Sequence, residues 1–160
     1  MATVIVTGCN RGIGLELARQ LVERGDAVFG VRRQPSEELT ASGANIVSGI
    51  DVGDGASMPA LKEAIGNQRV DILINNATGW VADTFTAGKE HVTGLSSDRL
   101  TASTHDQVFS VDARGGALLI AEFARRHITR QADWGRIIGL TSGGPLGFPT
   151  EVSYGAAKAA

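Results

Sequence analysis

The chain carries a single cysteine, Cys9, among 160 residues, so no internal disulfide can form and a reducing, cytoplasmic setting is expected. No apolar run is long enough to cross a bilayer, which removes the membrane as an expected partner. Met1-Ala2-Thr3 leads straight into a predicted strand and leaves no room for a signal peptide. His91, His105 and His127 stand far apart without cysteine partners, so no metal site is expected. Basic residues are interspersed with Asp and Glu at a net charge of −2, and nothing in that pattern attracts nucleic acid. There is also no Gly-Lys-Ser/Thr, which argues against a P-loop nucleotide hydrolase.

What the chain does have is glycine, 21 residues and about twice the usual share. Most stand singly at the ends of apolar runs, as in an α/β protein with tight strand-to-helix turns. Strands are predicted at 3–7, 27–31, 46–50, 70–74 and 135–141, each a continuous apolar run. Helices are predicted at 13–24, from Ser36, at 57–65, at 105–129 and from Glu151 onward. Pro35 helps to stop the second strand, and 143–150 reads as a glycine- and proline-rich turn. Alternation of this kind predicts a doubly wound parallel sheet of the Rossmann type, strand order 3-2-1-4-5. Residues 80–104 show no firm period, and so long a loop is expected to be functional or a surface insertion. The stretch 115–123 is apolar nearly all round, so its helix should be covered on the sheet side and by another subunit on the other.

Three groups of residues point to chemistry. Gly8-Cys9-Asn10-Arg11-Gly12-Ile13-Gly14 lies between the first strand and the first helix, where a dinucleotide loop belongs. Gly8 serves the tight turn, Gly12 the approach to a pyrophosphate and Gly14 the packing of helix on strand, with helix amides facing the phosphates. Cys9 in that loop reads as a small packing residue and not a redox thiol. At the end of the second strand, Arg32 and Arg33 stand where a carboxylate would select NAD, and Arg11 belongs to the facing loop. Guanidiniums suit a 2′-phosphate, so NADP(H) is the expected cofactor. Finally, Tyr154 and Lys158 are four residues apart and share one face of a helix. A phenol beside an ammonium is placed to exchange a proton with a reacting oxygen.

In this order the glycine loop, Asp51-Val52, Asn75-Asn76-Ala77, Ser142 and Tyr154-x-x-x-Lys158 resemble the short-chain dehydrogenase/reductase family, among them reductases similar to 3-oxoacyl-carrier-protein reductase. The resemblance implies an NADPH-dependent carbonyl reductase or secondary-alcohol dehydrogenase acting on a small-molecule or acyl-thioester ketone. It implies that Asp51 and Val52 hold the adenine end, and that Asn76 and Ala77 line the cofactor. Ser142 would hydrogen-bond the substrate oxygen, with Thr141 as the competing hydroxyl. Tyr154 would be the general acid/base, and Lys158 would ease its proton loss and bind the nicotinamide ribose. A homodimer or homotetramer through the helix 105–129 and the helix near 151 is expected. The alternatives are a non-catalytic NADP-binding domain with a sensor or partner role, and an epimerase or dehydratase on the same scaffold.

Three departures from the family pattern stand out. Thr78 replaces a glycine after Asn-Asn-Ala, and Ser142 precedes Tyr154 by 12 residues, one fewer than expected. Asp112 occupies the position of a catalytic Asn that helps to hold a proton-relaying water. It either keeps that water or pairs with Lys158. Family members run about half as long again. Residues 1–160 are therefore expected to form one NADP-binding domain, incomplete after the Tyr-x-x-x-Lys motif and inactive without the remainder.

Overall fold

In the strand Thr3–Thr7, Val4 and Val6 are buried in one apolar cluster and Ile5 in another, because successive side chains leave a strand on opposite faces. A strand buried on both sides needs helices on both sides, and the chain supplies them. The computed structural model describes residues 1–34, 36–86, 88, 91, 94–143 and 147–160. Pro35, residues 144–146 of the expected turn and part of the 80–104 segment lie outside them.

The order is β1 (Thr3–Thr7), α1 (Gly12–Glu23), β2 (Ala27–Val31), α2 (Glu37–Ala41), β3 (Asn45–Val47), α3 (Met58–Ile65) and β4 (Ile72–Asn75). There follow β5 (Asp83–Thr84), β6 (Asp98–Arg99), α4 (Ala102–Phe109), α5 (Gly116–Thr129), β7 (Arg136–Gly139) and α6 (Val152–Ala159). The main sheet is parallel with order β3-β2-β1-β4-β7, so the predicted five-strand order holds, with β7 as its fifth strand. Ala18 and Leu21 of α1 with Leu39 of α2 cover one face of the sheet; Leu61 and Ile65 of α3 with Leu119 and Phe123 of α5 cover the other.

Besides shifts of one or two residues at the ends of β4 and β7 and the unforeseen pair β5–β6, two elements differ from expectation. The third strand was expected to reach Ile50 but ends at Val47, because Gly49 takes a left-handed φ of 76° and turns the chain. The helix expected at 105–129 begins earlier, at Ala102, on a cap in which Thr101 and Thr104 exchange backbone and hydroxyl hydrogen bonds. It is then widened into a π-helical stretch at Ser110–Gly115 before α5. Such wide turns shift the side chains that follow them, and Asp112 lies inside this one. Leu118 and Ile120, on the two flanks of the buried Leu119 in α5, are exposed in the single chain.

Candidate active site

A cleft of about 480 Å³ opens beyond the C-terminal ends of β1, β2 and β4. It is lined by Gly8, Asn10, Arg11, Gly12, Ile13, Gly14, Arg32, Arg33, Asp51, Val52, Asn76 and Ala77, all of the residues expected to meet a cofactor except Tyr154 and Lys158. The glycines explain the shape. Gly8 has φ 65°, and a Cβ there would fall 2.6 Å from the Ala77 Cα. A Cβ on Gly14 would fall 2.5 Å from the Gly8 carbonyl oxygen. Asn76 stitches the loop to the sheet: its Nδ2 donates to the carbonyls of Thr7 and Gly8, both at 2.9 Å. Thr7 Oγ1 accepts from the amides of Asn76 and Ala77, both at 3.1 Å.

The cradle suits a dinucleotide. Arg11 caps α1 in an extended conformation and its side chain makes no hydrogen bond to the first amides of that helix. No acidic residue stands in its first turn, so amides and dipole remain available to an anion. Arg11 and Arg33 are exposed at the cleft. Arg33 touches Asp51 only loosely, at 3.4 Å. Arg32 differs: it is largely buried, with Nε donating to Ser48 Oγ at 3.0 Å and Nη1 to the Ser36 carbonyl at 2.9 Å. The expected pair of gripping arginines is thus one exposed residue and one brace. Asp51 accepts from the Gly53 amide at 2.9 Å, which fixes its carboxylate at the rim. Cys9 is fully buried, its thiol faces the Val31 carbonyl at 3.5 Å, and burial pushes it up to about 11.

The second cluster is built around Lys158. Its Nζ donates to the Leu140 carbonyl at 3.0 Å, lies 2.9 Å from Asp112 Oδ1 and stands 5.3 Å from the centre of the Tyr154 ring. The Asp112 contact is coulombic: the charges meet at ion-pair distance, yet Oδ1 has no donor at hydrogen-bonding angles. Asp112 Oδ2 accepts from Thr78 Oγ1 at 3.0 Å and from the Gly79 amide at 2.8 Å. Thr78 also lines the cofactor cleft, so it joins the two halves of the site. Phe148 meets Tyr154 edge-on at 5.7 Å. Ser142 is exposed just beyond Leu140, and no hydrogen bond links it to Tyr154 among the described residues.

Several contributors were not foreseen. Trp80 Nε1 donates to the Glu151 carboxylate, and His91 Nε2 lies 3.2 Å from the same group. Asp83 is fully buried and accepts from both the amide and the hydroxyl of Ser153. All three sit in the 80–104 segment, which therefore rests on the start of α6. Their sequence separation from α6 and their lack of periodicity hide these contacts from a reading of the chain.

The sequence matches the model of the short chain dehydrogenase family over residues 2–160. It is 29% identical over 158 residues to the 3-ketodihydrosphingosine reductase of Bacteroides thetaiotaomicron, covering 97% of this chain and 52% of that protein. It is 30% identical over 173 residues to the 3-oxoacyl-(acyl-carrier-protein) reductase FabG of Escherichia coli, covering 97% and 61%. The crystal structure of a short-chain dehydrogenase from Streptomyces avermitilis matches with a TM-score of 0.79 at 27% identity, over 99% of this chain and 56% of that one. The chain spans between half and two thirds of the length of these proteins.

Proposed function

The chain belongs to the short-chain dehydrogenase/reductase family, and on that premise we propose that it serves an NADPH-dependent carbonyl reductase, or secondary-alcohol dehydrogenase, acting on a small-molecule or acyl-thioester ketone. One observation carries this reading: Thr78, on the wall of the glycine-loop cleft, donates to Asp112, which meets Lys158 one turn from Tyr154. A cofactor cradle and a proton-transfer group are thereby coupled in one site.

In this reading Gly8, Asn10, Gly12, Ile13 and Gly14 receive the pyrophosphate, and Asp51 and Val52 hold the adenine. Arg11 and Arg33 meet the 2′-phosphate while Arg32 braces the end of β2. Asn76 and Ala77 line the path to the nicotinamide, which supplies the hydride when bound. Tyr154 passes its proton to the carbonyl oxygen as the carbon is reduced, which balances the step as a secondary alcohol, and solvent returns the proton. Ser142 donates to the same oxygen. Lys158 holds the nicotinamide ribose and is fixed by Asp112 and the Leu140 carbonyl. The exposed Leu118 and Ile120 favour a homo-oligomer built on α4, α5 and α6. Among the described residues no helix is long and apolar enough to cross a membrane, and a cytoplasmic location suits the single buried thiol.

The test is NADPH consumption by the protein against a panel of ketones and acyl-thioester ketones. Alcohol formed in step with NADPH consumed is expected. Binding of NADPH with no turnover of any carbonyl would favour the binding-domain reading, and product without net redox change an isomerising one.

A further inference from the structure

Helix α6 starts without a cap of its own. Glu151 at its N-cap makes no side-chain hydrogen bond to the helix, and the first turn holds no acidic residue. A helix start left this way frays unless something else satisfies its amides. Here that something is Asp83, 70 positions earlier in the chain. Its Oδ1 accepts the Ser153 amide at 2.8 Å and its Oδ2 the Ser153 hydroxyl at 2.5 Å. Both residues have no exposed surface, and a buried carboxylate with both oxygens accepting from one residue defines that residue's position closely. The next residue is Tyr154.

Asp83 does not act alone. Thr78 and Gly79 donate to Asp112, Trp80 donates to Glu151, and Asp83 accepts from Ser153. One short stretch, 78–83, thus reaches both the partner of Lys158 and the first turn of the helix that carries Tyr154 and Lys158. The short parallel pair β5–β6, Asp83 against Asp98 and Thr84 against Arg99, holds its far end.

We infer that Asp83 is a positioning residue: residues 78–83 form a strut that sets the distance between Asp112 and α6, and Asp83, as the external cap of α6, fixes Tyr154 and Lys158 for proton transfer. The inference rests on the catalytic reading of Tyr154 given above. Misplacing a reacting group by about 1 Å can cost on the order of a hundredfold in rate, so a cap at this point acts on kcat. Cofactor affinity should depend on it less, because Thr78, Tyr154 and Lys158 are the only cofactor-side residues it touches or positions among the described residues, and the rest of the cleft is lined from the glycine loop, the ends of β2 and β4, the segment after β3 and Val111.

The experiment compares Asp83→Ala, Asp83→Asn and Ser153→Ala with the unaltered protein. It measures kcat, KM for NADPH and backbone hydrogen exchange across 153–157. Asp83→Ala should lower kcat by roughly tenfold or more, change KM for NADPH by less than about threefold, and speed exchange in the first turn of α6 by roughly fivefold to tenfold. Asp83→Asn keeps one acceptor and should recover part of kcat. Ser153→Ala, which leaves the amide contact in place, gives a smaller loss of the same kind and remains readable if Asp83→Ala does not fold. Unchanged kcat and exchange in Ser153→Ala and Asp83→Asn would overturn the inference while leaving the proposed function standing. Equal losses in kcat and NADPH affinity would also overturn it, as general loosening. Tyr154→Phe run alongside marks the other failure: if it keeps its rate, the catalytic reading falls and takes the positioning role with it.

Discussion

The Nζ of Lys158 lies 2.9 Å from Oδ1 of Asp112, with the carboxylate closed to solvent and the ammonium nearly so. Where the family pattern has an uncharged Asn, this chain has a charge partner. Thr78, which stands in place of a glycine, donates to the same carboxylate. The two departures from the pattern are therefore a single local change, a carboxylate and the hydroxyl that orients it.

Asp112→Asn removes the negative charge and leaves the ammonium to act on Tyr154 uncompensated. If Asp112 serves to balance the charge of Lys158, the pH optimum of ketone reduction should move. Profiles of kcat/KM against pH for both forms would show it. An unmoved profile with a raised rate would favour the water-holding reading, and no change in either rate or profile would make Asp112 a bystander.

Tyr154→Phe keeps the ring that packs edge-on against Phe148 and removes only the transferable proton. Carbonyl reduction should fall by about a hundredfold to ten-thousandfold, with NADPH affinity nearly unchanged. A variant that kept most of its rate would place the acid elsewhere.

Arg33→Ala should weaken NADPH binding by roughly tenfold to a hundredfold and NADH binding little, since one charge-assisted contact is worth about 1.5–3 kcal/mol. Removing Arg11 as well should deepen the loss. Arg32→Ala should act differently, because its guanidinium is spent on Ser36 and Ser48. Its cost, about 1–3 kcal/mol, should appear in the unfolding free energy. Fluorescence titrations and urea melts separate the two effects, and a wild type with equal affinity for both cofactors would defeat the NADP assignment.

Glu122 of α5 accepts from Arg125 and Arg126 and lies 3.5 Å from Lys62 of α3. The Arg125 hydrogen bond, with help from Arg126 and Lys62 against the cost of burial, lowers its carboxyl from 4.5 to about 2. A carboxyl depressed by folding stabilises the native state above its unfolded value, and that contribution fades as pH falls through the folded one. The stability gap between wild type and Glu122→Gln should therefore be full above about pH 5 and gone near pH 2. A gap that did not vary over that window would show that packing, and not charge, sets it.

The sheet was legible because its strands read as apolar runs, which a parallel strand covered on both faces needs; the edge strand β7 carries such a run although its residues are exposed. The third strand was overextended because Ile50 is buried like a strand residue, although Gly49 has already turned the chain. The glycine loop and the Tyr154–Lys158 spacing were legible because both are local. Arg32 and Arg33 looked equivalent in sequence, yet adjacent residues leave a strand in opposite directions, and one was buried. The contact of Asp83 with Ser153 was not legible, since a polar pair so distant in sequence leaves no periodic trace, whereas the pairing of Asp112 with Lys158 was one of the two readings that the departure from the family pattern left open.

The burial of Cys9 gives the chain a practical property. With its thiol fully enclosed and pushed up to about 11, almost no thiolate exists near neutral pH, and the thiolate is the species that alkylating reagents attack. The folded protein should be silent to maleimides and become reactive only as it opens, so thiol labelling serves as a gauge of global unfolding. The same silence leaves the background clear for a reporter: a cysteine placed at exposed Ile13, on the cleft wall, would take a fluorophore at one defined site and signal the arrival of a dinucleotide directly.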